Sequence, residues 1–169
     1  MDEDVLRRRK YLNSILALAM GVALVLACSS ETKRTVTVGG LRFEVPGGWK
    51  TTVNSSTRAT VSSADGGLQV VCSVLDENSS EFAVKDLDQE ISKTIKKVET
   101  VGKPTQDTRD GIPHYAKSGT GEVDGTTITW SVDVFSAGKL VIFLAYAPPN
   151  VYQKNSADYE KLINSINKD

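Results

Sequence analysis

The chain has 169 residues, of which 40% are hydrophobic and 24% charged, with a formal net charge of −1. That length supports one domain with its own hydrophobic core. The balance of 20 basic against 21 acidic residues leaves no electrostatic case for nucleic acid, whose ligands carry a basic stripe.

The N-terminus opens with Arg7, Arg8, Arg9 and Lys10, followed by seventeen uncharged residues from Tyr11 to Ala27. The most apolar part, Ile15 to Ala27, would cover about 20 Å as a helix, short of the roughly 30 Å of a bilayer's hydrocarbon core. A basic stretch before an apolar run of this length reads as a secretory signal. Val25-Leu26-Ala27-Cys28 then matches a bacterial lipobox: branched apolar, apolar, small, cysteine. The resemblance to a lipoprotein signal peptide implies cleavage between Ala27 and Cys28 and a lipid on the Cys28 thiol, palmitate included. It implies an extracytoplasmic body anchored to a membrane of the bacterial cell envelope. The alternative is a retained single-span anchor, in which the full run of about 25 Å crosses a locally thinned bilayer.

Residues 1–27 carry four of the 20 basic and three of the 21 acidic residues, which leaves 16 against 18 and a net charge near −2 for the rest. With Cys28 acylated, Cys72 has no partner, so no disulfide framework forms. Residues 28–35 are small, polar and charged and read as a tether, with a single domain over 36–169.

Thr35–Val38 and Leu41–Val45 alternate apolar with polar residues about Gly39-Gly40, the pattern of a hairpin. Strands near Arg58–Ser62 and Leu68–Leu75 follow, joined at Asp65-Gly66-Gly67. On the second, Leu68, Val70, Cys72 and Val74 share a face, and Cys72 is expected to be a buried thiol. From Asn78 to Val98 the period changes: Val84, Leu87, Ile91, Ile95 and Val98 form one helical stripe, opened by an Asn78–Glu81 capping box. His114–Val123, with Gly119 and Gly121, suggests a bent or edge strand. After the turn at Asp124-Gly125, Ile128, Trp130, Val132 and Val134 alternate with polar residues. LVIFLAYA, from Leu140 to Ala147, is apolar on both faces and suits the centre of a sheet. Pro148-Pro149 stops it, and a last helix over about Ser156–Ile166 carries Tyr159, Leu162, Ile163 and Ile166 on one face. The expected fold class is α+β, a mostly antiparallel sheet of about six to seven strands flanked by two helices.

Several segments resemble the PsbP-like and DcrB-like lipoprotein superfamily. FEVPGGWK supplies its aromatic-x-apolar-Pro-x-x-Trp stretch as Phe43, Val45, Pro46 and Trp49. Gly125 to Trp130 supplies its Gly-x-x-x-x-Trp hairpin strand, and YEKLINSI closes the domain. The resemblance implies an antiparallel sheet with helices on both sides, used for binding or assembly, with no shared catalytic residue. Trp49 and Trp130 are expected to pack in the core.

The sequence nominates no catalytic residue and no cofactor. His114, the one histidine, lacks the neighbouring cysteines or paired carboxylates of a zinc site and is expected to be a partly exposed strand residue. Asp76–Ser80 fails as a calcium loop, because Glu81 and Leu87 stand at the positions that need Gly and Glu. Gly102-Lys103-Pro104-Thr105 lacks the glycine spacing of a phosphate loop, and Lys93–Lys97 is expected to be a solvated helix face. Pro148, Pro149 and an exposed Tyr152 form a candidate protein-partner surface. The expected role is a lipid-anchored binding or assembly-accessory module without catalytic activity. The alternatives are a small-molecule or lipid carrier with a cavity between sheet and helix, and, more remotely, an enzyme using carboxylates.

Overall fold

The computed structural model describes residues 34–75 and 84–169. Ala27, Cys28, most of the tether and the Asn78–Glu81 pair lie outside the described residues. Gly39-Gly40 folds β1 (Arg34–Val38) onto β2 (Leu41–Val45), and Leu41, Phe43 and Val45 are buried while Arg42 and Glu44 face out. This hairpin and the short β11 (Asn167–Lys168) make a three-stranded sheet in the order β1-β2-β11.

The larger sheet has eight strands. It runs through β3 (Lys50–Ser55), β4 (Arg58–Ser62), β5 (Gln69–Leu75), β10 (Leu140–Ala147), β9 (Thr126–Ser136), β8 (Ile112–Val123) and β6 (Lys96–Thr100). β7 (Thr105–Arg109) also pairs with β8, and every pairing is antiparallel. β10 sits between β5 and β9, as its two apolar faces require. Its Leu140, Ile142 and Leu144 join Leu87, Ile91 and Trp130 under α1 (Val84–Thr94). Its Val141, Phe143 and Ala145 join Phe43, Trp49, Cys72, Phe135 and Leu162 under α2 (Pro149–Asn164) and the small sheet. Phe143 meets Phe43 and Phe135 edge-on, at ring-centre distances of 5.3 and 5.8 Å.

Four sequence expectations need correction. The helical stripe ends early: Leu87, Ile91 and Ile95 are buried, but α1 stops at Thr94 and Val98 belongs to β6. Lys97 takes a left-handed φ of 49°, which a continuing α-helix cannot contain. Lys96 and Lys97 therefore stand on a strand, where Lys97 pairs with Glu122 at 2.7 Å, while Lys93 pairs with Glu90 on the helix.

The second correction is β8, which is interior rather than an edge, with β9 on one side and β6 and β7 on the other. Its glycines serve close approach. A Cβ on Gly119 would collide with the Glu99 carbonyl and stand 2.6 Å from the Trp130 ring, and one on Gly121 would stand 2.8 Å from the Lys96 carbonyl. Third, the last helix starts at Pro149 rather than near Ser156, because proline's fixed φ and missing N–H suit a first helical turn. Fourth, the strand count exceeds six or seven. β3, for example, is exposed at five of its six positions and so carries no alternation to read.

Candidate functional site: a buried carboxylate–histidine–tyrosine chain beside a polar cleft

Strand parity places Ile112, His114, Ala116 and Ser118 of β8, with Ser131, Asp133 and Phe135 of β9, on the sheet face under α2. His114 lies directly opposite Asp107 on β7 and Phe135 on β9. Its ring packs on Phe135 at 4.6 Å between ring centres. Nδ1 meets Asp107 Oδ1 at 2.6 Å, and Nε2 meets Asp133 Oδ1 at 2.8 Å. A carboxylate oxygen only accepts, so a ring N–H on either side has an acceptor waiting for it. Far from being partly exposed, His114 is 3% exposed, because β7 flanks it and the Phe135 ring stacks on it.

The chain continues onto α2. Tyr159 Oη donates to Asp133 Oδ2 at 2.7 Å, and Tyr152, seven residues earlier on the same helix face, donates to Ser131 Oγ at 2.6 Å. Ser131 and Asp133, two residues apart on the same face of β9, hold Tyr152 and Tyr159 of α2 respectively. A path of hydrogen bonds thus runs from Asp107 at the surface through His114 and Asp133 to Tyr159, with the Tyr152–Ser131 pair beside it. The His114 hydrogen bond, opposed by some desolvation and helped by Arg109, holds the Asp107 carboxyl below its usual range. Burial, reinforced by the Asp133 charge, holds the Tyr159 phenol well above its usual value.

A cleft of about 370 Å³ opens beside this chain, with Ser131 and Asp133 at its base, Tyr152, Tyr159 and Glu160 on the α2 wall, and Lys103 and Arg109 on the β7 side. Arg109 Nη1 donates to Asn164 Oδ1 at 3.0 Å, which joins the two walls. On the other face of the sheet, Lys117 is buried and pairs with Asp88 of α1. A second groove there, about 520 Å³, lies between α1 and the strands β4, β5 and β10.

The candidate residues from the sequence fall at the head of α2. Pro149 is exposed and Pro148 partly so. Tyr152 is half-buried with its hydroxyl on Ser131, so it faces the cleft rather than standing free as expected. Trp49 and Trp130 are core residues as expected, and the Trp130 indole N–H donates to the Thr120 carbonyl at 2.8 Å. Cys72 is fully buried, and desolvation pushes its thiol up beyond its ordinary range. Sequence reasoning missed the partners of His114, which are 7 and 19 residues away. Among the described residues, no helix is long and apolar enough to cross a membrane.

A hairpin-linked antiparallel sheet with one helix on each face defines the class, and solved structures give it a name. No family model and no curated protein sequence matches the chain. Cyanobacterial PsbP (CyanoP) from Synechocystis superposes with a TM-score of 0.56 at 15% identity, over 82% of this chain and 94% of that one. LpqN of Mycobacterium tuberculosis, involved in cell envelope biogenesis, gives a TM-score of 0.55 at 13% identity, over 79% and 88% of the two chains. PA94, a protein of unknown function from Pseudomonas aeruginosa, gives 0.50 at 10% identity, over 79% and 94%. The chain has the PsbP-like fold.

Proposed function

We propose that this chain is an extracytoplasmic binding or assembly-accessory module, anchored through a lipid on Cys28, that carries out no catalysis. The observation that carries the reading is the state of His114. It is the one histidine in the sequence, it is buried, and both its ring nitrogens are taken up by Asp107 and Asp133. A buried imidazole held between two carboxylates ties β7 to β8 and β9, which supports a structural role for it. The Val25–Cys28 lipobox supports the anchor, and the fold shared with the envelope protein LpqN supports the compartment. Pro148 and Pro149, at the head of α2, are the proposed protein-partner surface.

Growth of the native bacterium with radiolabelled palmitate tests the anchor. Label is expected on the wild-type chain and absent from Cys28→Ser; an unlabelled wild type, or a labelled variant, refutes it. Crosslinking in intact cells is expected to recover one protein partner repeatedly, and consistent failure across growth conditions counts against the assembly role. A second reading, a small-molecule carrier, is favoured by the cleft between α2 and the sheet.

A further inference from the structure

The phenols at the base of the cleft are directed. Asp133 can only accept, so Tyr159 donates to it, and Tyr152 donates to Ser131. Both phenolic hydrogens point inward, toward β9. The outermost oxygen, Tyr152 Oη, has given its own hydrogen away and offers lone pairs, a surface that seeks a donor. Burial first, opposed by the Ser131 hydrogen bond and helped by the charges of Asp133 and Glu160, holds this phenol above its usual value. The β7 side has the opposite character. Lys103 is exposed and has no ion pair among the described residues, and Arg109 reaches Asp107 only at 3.5 Å, while that carboxylate is already held by His114. Glu160 on α2 is likewise exposed and without an ion pair among the described residues.

We infer that the cleft binds a small zwitterion, its ammonium against Tyr152 and Glu160 and its carboxylate toward Lys103 and Arg109. This names a ligand class for the binding-module reading and rests on it. The cleft's 370 Å³ lies in the range of several hundred Å³ typical of small-molecule sites and has room for an amino acid or a dipeptide. A cation alone would leave Lys103 unanswered, and an anion alone would meet lone pairs and Glu160.

The test is an amide NMR titration of the full chain in detergent micelles with alanyl-alanine, its N-acetyl form and its C-terminal amide. Alanyl-alanine is expected to shift the Ser131 and Tyr152 amides saturably, and each blocked form to bind about threefold or more weakly. Glu160→Gln should weaken alanyl-alanine and the amide but not the N-acetyl form, and Lys103→Gln should weaken alanyl-alanine and the N-acetyl form but not the amide. Both substitutions are at exposed side chains, and an unchanged spectrum elsewhere shows that the fold is kept. No saturable shift up to about 10 mM, or equal binding of all three compounds, overturns the inference. A partner recovered by crosslinking beside an unresponsive cleft refutes only the zwitterion, and a responsive cleft without a partner refutes only the assembly role.

Discussion

His114 and Tyr159 converge on one carboxylate, and removing either leaves Asp133, 7% exposed, short of a donor. His114→Ala should cost about 3 kcal/mol in urea denaturation, because it strands a buried charge. Tyr159→Phe should cost about 2 kcal/mol, the worth of a hydrogen bond to a charged acceptor. A cost under about 0.5 kcal/mol for both would show that the chain contributes nothing to stability. The same groups set the pH limits. The Tyr159 phenol is raised in the folded state, so the stability it carries is complete below the ordinary tyrosine value of about 10 and is lost as pH rises above it. Denaturation midpoints should therefore fall above about pH 10, and less steeply in Tyr159→Phe. Asp107 is lowered, so its contribution is complete above about pH 3.9 and is lost as pH falls through its folded value. None of this was legible from His114 alone. Asp107 and Asp133 become its neighbours only through the β7–β8 and β8–β9 registers, and Tyr159 only through the seating of α2.

Among the elements, legibility followed burial. β2 buries one face against a core and shows a clean alternation, β9 alternates because its second face is polar as far as the buried Asp133, and β10 buries both faces and reads as an unbroken apolar run. β3, β6 and β7 lie at or near sheet edges with little buried surface, so their composition resembles loops. The glycines of β8 were visible, but their meaning was not, since a bare backbone marks an edge and a crowded interior equally well. The crowded reading is testable. Gly119→Ala should destabilise by about 2 to 3 kcal/mol, the cost of forcing a methyl into a filled site, and should speed hydrogen exchange in β6. An effect near zero would mean that β6 can move aside freely. The helix boundaries failed for local reasons: Val98 sits at a helical spacing from Ile95 whether or not the helix continues, and Pro149 can end one element by beginning the next.

For the molecule as a whole, the eight-stranded sheet separates two hydrophobic clusters, one under α1 and one under α2 and the small sheet. Leu87 and Leu162 are each fully buried, on opposite faces. Leu87→Ala and Leu162→Ala should each cost about 2 to 5 kcal/mol and add to within about 0.5 kcal/mol in the double variant. A larger non-additivity in denaturant titrations would mean that the sheet transmits strain from one side to the other. The small sheet has its own consequence at the start of the described chain. β1 bonds only to β2, with Arg34 opposite Val45 at the open end of the hairpin. A pull on Arg34 away from β2 would part that ladder from its open end, one rung at a time. It would also draw Val36 and Val38 out of the hydrophobic cluster under α2, so the hairpin and that core would resist together.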